Sequence, residues 1–140
     1  MYELVYRSTA NRETTREDIA NILKIARIFN AENDITGCLL FHNNEFVQIL
    51  EGDKTAVKGL FAKIAKDDRH TKVLLLAEDE IEERLFEKWS MAYHEVSTDD
   101  MINVERLLFV NNLLTFSELI AKPTHSSKIF WYIAKQLLKE

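Results

Sequence analysis

The stretch FVQILEG, residues 46–52, reads as a short buried strand with one residue out of keeping. Side chains alternate between the two faces of a strand, so Phe46, Gln48 and Leu50 share one face and Val47 and Ile49 the other. Both faces are otherwise apolar. A primary amide buried there without partners costs about 1–3 kcal/mol. The chain must therefore supply Gln48 with a hydrogen-bond partner or leave room for one.

Upstream, ITGCLLF is separated from EFVQILEG only by His42, Asn43 and Asn44, a short polar break that suggests a hairpin with Gln48 in its second strand. Further back, YELVYRS (2–8) alternates, with Tyr2, Leu4 and Tyr6 on one face. Between these strands Ile19, Ile22, Leu23, Ala26 and Phe29 recur at helical spacing. Thr14 followed by Glu17 offers a capping box at the start of that helix. Asn30 lies at the edge of its apolar face, near the C-terminal end. Downstream, Val57, Leu60, Phe61 and Ile64 mark a second helix over 54–66, ending in KDDRH. TKVLLLAE is a further strand. After an acidic segment KWSMAYHEV alternates again, with Trp89, Met91 and Tyr93 on one face.

The order β-α-β-β-α-β with one additional strand predicts an α+β, ferredoxin-like sheet with two helices on one face. In that plan the first and third strands are central neighbours, which sets Tyr6 beside Gln48 and brings Asn30 toward the same space. After Val96 the pattern becomes helical through MINVERLLFV, NNLLTFSELI and, beyond Pro123, SSKIFWYIAKQLLKE. The chain divides into a domain over 1–96 and a C-terminal helical extension over 97–140, expected to pack on another subunit or on the domain, for instance over the sheet face that would otherwise expose Val5, Val47 and Ile49.

Composition narrows the function classes. A net charge of −5 argues against direct nucleic-acid binding, which needs a basic face. No apolar run reaches bilayer length, and MYELVYRS lacks a basic region followed by an apolar one, so neither membrane anchor nor signal peptide is expected and the location is cytoplasmic. The single cysteine, Cys38, sits in an apolar run where core packing is expected. His42, His70, His94 and His125 show no metal-ligand spacing. An enzyme would need a glycine-rich anion loop and a positioned nucleophile or base, and neither is evident.

The motifs LVYRS, NDITGCLLF, FVQILEG, DDRH and KWSM, in that order, resemble the BLUF family of blue-light sensors that use a flavin, over roughly residues 1–96. The resemblance implies a noncovalent flavin, FAD with FMN possible. It implies that Tyr6 donates an electron to the excited ring with a coupled proton moving through Gln48, which then rotates or tautomerises. Asn30 would bond the polar edge of the ring, and Asp67, Arg69 and His70 would lie near the ribityl chain or phosphate. Trp89 and Met91 would relay the change toward the C-terminal helices. Phe29 departs from the polar residue expected before Asn30.

Taken singly, Tyr6 reads as a core tyrosine, Asn30 as a helix terminator, DDRH as a solvated helix end, and Trp89 and Met91 as packing residues. The alternative function is a ferredoxin-like small-ligand regulatory module without a chromophore. Since no catalytic domain follows within these residues, the expected output is contact with a protein partner, through the tail or a homo-oligomer.

Overall fold

The computed structural model describes residues 1–11, 13–42, 44–86, 92–95 and 124–139. Within these, β1 (Tyr2–Ala10), α1 (Arg16–Glu32), β2 (Thr36–His42), β3 (Glu45–Gly52), α2 (Lys54–Lys66), β4 (His70–Glu80), β5 (Ala92–Glu95) and α3 (His125–Lys139) follow one another. The strands form one sheet in the order β4-β1-β3-β2-β5. The first four are antiparallel, as the ferredoxin-like plan requires, and β5 adds in parallel to β2 at the edge.

The start of α1 differs by one residue from the sequence expectation. Thr15, not Thr14, is the N-cap, and it closes a capping box with Asp18 rather than Glu17. Asp18 N donates to Thr15 Oγ1 at 3.1 Å, and Thr15 N donates to Asp18 Oδ2 at 2.9 Å. Thr14 is engaged elsewhere, donating from Oγ1 to the Arg69 carbonyl at 2.9 Å. α2 matches its predicted range and is capped by Asp53, whose side chain accepts from Ala56 N. The hairpin between β2 and β3 turns at Asn44 in the left-handed region (φ 64°), a conformation asparagine tolerates better than most residues. The strand predicted from TKVLLLAE runs longer, from His70 to Glu80. The strand predicted over KWSMAYHEV is seen at Ala92–Glu95, whereas Trp89 and Met91 lie outside the described residues, as do the helices expected over 97–123.

Each sheet face carries its own core. Tyr2, Leu4, Tyr6, Phe46 and Leu50 pack beneath α1 and α2 with Ile19, Leu23 and Val57. On the opposite face Val5, Cys38, Leu40, Val47 and Ile49 pack with Phe86 and with Phe130, Trp131 and Ala134 of α3. The last helix thus covers Val5, Val47 and Ile49, one of the two placements the sequence left open. Its apolar residues recur at the spacing one helix face requires. No helix among the described residues is long and apolar enough to cross a membrane.

Strand β2 approaches β3 so closely at Gly37 that an added Cβ would lie 2.0 Å from the Ile49 carbonyl oxygen. The obstacle is backbone, so no side-chain rotation relieves it. Gly37→Ala is expected to destabilise the protein by about 2–4 kcal/mol, because the ladder beside Gln48 must shift. Urea unfolding followed by circular dichroism would measure it, and an unchanged midpoint would show that the strands yield without cost.

Candidate functional site

Between the sheet and the two helices lies a cleft of ≈ 600 Å³, counting the space at its solvent-open mouth. Its lining includes Tyr6, Asn30, Gln48, Asp67, Arg69 and His70. These come from β1, α1, β3 and the connection from α2 into β4. Trp89 and Met91 fall outside the described residues.

Topology places the two central polar residues. β1 and β3 are neighbours, with Tyr6 directly opposite Gln48 in the register. The phenol hydroxyl of Tyr6 donates to Gln48 Oε1, which identifies one partner of the amide that the sequence left open. Both side chains are buried. Burial, with a smaller contribution from Asp67, pushes the Tyr6 hydroxyl above the ordinary tyrosine range, so the phenol keeps its proton at neutral pH. The Tyr6 ring meets Phe61 of α2 edge-on at 5.4 Å. Asn30, in the last turn of α1, is fully buried. Its backbone carbonyl accepts from Ile35 N at 2.8 Å, tying the end of α1 to the start of β2.

The outer residues are less buried and more ionic. Arg69 folds back on Asp67, with Nε 2.9 Å from Oδ1 and 3.1 Å from Oδ2, and Nη2 also donates to Oδ2. These bonds hold the Asp67 carboxyl below its ordinary range. His70 Nε2 faces the Ile64 carbonyl and therefore carries the ring hydrogen. In the neutral ring Nδ1 then accepts from Ser8 Oγ at 2.9 Å. Phe29, the departure noted in the sequence, packs at the margin of the cleft-side core under Lys63 of α2, whose Nζ lies 4.7 Å from its ring centre.

The apolar lining from Ile22, Ala26, Leu39, Phe46, Leu60 and Ile64 was not singled out as a site from the sequence. The two helical stripes showed Ile22, Ala26, Leu60 and Ile64 only as residues needing a packing partner. Apolar walls suit the faces of a flat aromatic ring, and three buried polar side chains, Tyr6, Asn30 and Gln48, suit its donor and acceptor edge. A flavin has both features, and the residues present fit it. Cys38 lies on the other sheet face, fully buried, with its thiol pushed well above the ordinary range by burial.

Comparison with known proteins agrees with this geometry. Residues 1–92 match the model of the family described as "BLUF: Sensors of blue-light using FAD". A photoactivated adenylate cyclase subunit beta from Euglena longa is 39% identical over 100 residues, 71% of this chain and 11% of that protein. The blue light- and temperature-regulated antirepressor BluF of Escherichia coli (strain K12) is 31% identical over 106 residues, 76% of this chain and 26% of that protein. The chain thus spans only a small part of these relatives. The structure of BlsA in its photo-activated state superposes with a TM-score of 0.68 at 34% identity, covering 99% of this chain and 95% of that one. A tyrosine bonded to a glutamine in an apolar-walled cleft, in a chain matching the family over residues 1–92, makes this protein a member of the BLUF family of blue-light sensors that use a flavin.

Proposed function

We propose that the cleft binds FAD without a covalent bond and that Tyr6 and Gln48 carry the light response. The observation that supports this most is the Tyr6–Gln48 hydrogen bond beside Asn30 in a buried, otherwise apolar layer. Asn30 and Gln48 hold the polar edge of the ring, and Asp67, Arg69 and His70 stand toward the ribityl chain and phosphate. The bound flavin supplies absorption of blue light and an oxidising excited state.

The protein's own part follows from protonation. Tyr6 loses an electron readily only if its proton leaves with it, since a phenol cation in an apolar layer is strongly disfavoured. Gln48 Oε1 is the acceptor to which that proton is bonded. An amide holds a donor and an acceptor on one pivot, so rotation or tautomerisation reverses its hydrogen-bond pattern without creating charge.

Gln48 on β3 lies opposite Leu39 on β2, and Leu39 lies opposite Tyr93 on β5. This row runs from the amide to the strand that directly follows Trp89 and Met91, the proposed relay. Val47 and Ile49, on either side of Gln48, press on the core that holds α3. A rearranged amide therefore has two short routes to the C-terminal residues, through which a homo-oligomer or protein partner in the cytoplasm receives the signal. Coupling of this kind is typically about 1–3 kcal/mol.

The test is the visible spectrum before and after blue light. A small red shift that reverses in the dark is expected, with FAD recovered from the unfolded protein. Bleaching to a thiol adduct, or a colourless protein that takes up no flavin, would refute the proposal.

A further inference from the structure

Three acidic side chains form a row across the sheet on the face away from the cleft. Asp79 on β4 pairs with Glu3 on β1, Glu3 pairs with Glu51 on β3, and Glu51 pairs with Thr36 on β2. Glu3 and Glu51 are fully buried. Their surroundings differ sharply. Glu51 accepts from Thr36 Oγ1 at 2.8 Å, Phe86 N at 2.6 Å and Leu85 N at 2.8 Å. Asp79 Oδ2 accepts from both the backbone N and the Oγ of Ser126, each at 2.7 Å. Glu3 Oε1 accepts from Thr124 Oγ1, while its Oε2 has no hydrogen-bond partner among the described residues.

The donor to Glu3 is also the residue that starts α3. Thr124 Oγ1 accepts from Ser127 N at 3.0 Å, and Thr124 N donates to Ser127 Oγ at 2.9 Å, which is a helix N-cap. The start of the last helix therefore rests on Glu3 and Asp79. No cation among the described residues offsets Glu3. Arg84 is bonded to Thr36 Oγ1, to the Glu51 carbonyl and to Asp34, and His125 and Lys128 are exposed.

An ionised carboxylate with one hydrogen bond, two acidic neighbours and no solvent exposure is costly, and the cost is removed either by a proton or by lifting the helix to admit solvent. We propose that seating α3 on the sheet takes up a proton at Glu3, which makes the last helix a proton-linked latch. Burial, followed by the nearby Glu51 and Asp79, pushes the Glu3 carboxyl up to about 7, while the Thr124 hydrogen bond pulls the other way. With the helix lifted, Glu3 returns toward the ordinary value of 4.5. The seated state therefore binds more protons, and seating weakens as pH rises between those values. Above about 7 the advantage is gone.

The experiment uses the full, flavin-loaded chain from pH 5 to 8. Amide hydrogen exchange in α3, read as a ratio to that in β3 of the same sample, cancels the intrinsic effect of pH on exchange. The ratio is expected to rise roughly tenfold per pH unit up to about pH 7 and then level off. Glu3→Gln, which mimics the protonated acid, should leave the ratio flat and the helix seated throughout. Asp79→Asn removes one repelling charge and should make the rise level off at a lower pH. A flat ratio in the unaltered protein, or the same rise in Glu3→Gln, would overturn the proposal. If Glu3→Gln does not fold, Asp79→Asn decides, and a rise that levels off at an unmoved pH counts against the latch.

Discussion

Purified Gln48→Ala protein is expected to carry flavin and yet show no red shift under blue light, a complete loss of the response rather than a reduction. The change removes the amide and leaves Leu50, Phe46 and the helix-side core in place. Tyr6→Phe should give the same result by a different route. It keeps the ring, which meets Phe61 edge-on, and removes only the hydroxyl that donates to Gln48. Removing one partner of a buried hydrogen bond costs about 1–3 kcal/mol, too little to unfold the protein. Both variants should therefore be soluble and yellow. Difference spectra at matched flavin occupancy make the comparison, and a normal, reversible shift in either variant would remove Tyr6 and Gln48 from the assigned roles.

Glu51→Ala is expected to cost about 3–5 kcal/mol, because three donors lose their acceptor at once. Glu51 lies at the end of β3 and fastens two other segments to it. Its carboxyl oxygens accept the Thr36 hydroxyl of β2 and the backbone N–H groups of Leu85 and Phe86, which follow β4. Alanine leaves these donors facing a small void at a buried position. Glu51→Gln is a graded control. Its carbonyl oxygen can still accept from Thr36 and Phe86, but its NH₂ then faces the Leu85 N–H, so a loss of about 1–3 kcal/mol is expected. Unfolding midpoints in urea for the three proteins would test the order. Equal stability of Glu51→Ala and the parent would mean that water replaces the carboxyl without penalty.

The sequence showed the parts of this molecule that depend on period and order. Alternation in YELVYRS and FVQILEG, with two helical stripes between and after, led to the α+β plan, and the plan alone made Tyr6 and Gln48 neighbours. Tertiary contacts decided what it left ambiguous. Thr14 and Thr15 stand before Glu17 and Asp18, so either pair could form a capping box, and the bond from Thr14 to the Arg69 carbonyl leaves Thr15 to cap. The partners of His70, Ser8 Oγ and the Ile64 carbonyl, lie far along the chain or on its backbone and leave no local pattern. The acidic row was hidden for a related reason. Glu3 and Glu51 look like solvated strand ends, and only the later segments packed over them make their faces interior.

The central position of β1 bears on the order in which the chain acquires its structure. β1 reaches Gln48 across 42 residues of sequence, and Glu3 reaches Thr124 across 121. Its other neighbour, β4, also lies beyond both α1 and α2. During synthesis this early strand therefore has no pairing partner until β3 has emerged. Contacts of such long range are slow to form, and an apolar strand waiting for them is exposed to mispairing. The β2–β3 hairpin, joined by a short turn, can form well before that. Chaperone demand should accordingly fall on the interval between emergence of β1 and emergence of β4, and the Tyr6–Gln48 hydrogen bond closes only when β1 docks on a hairpin already made.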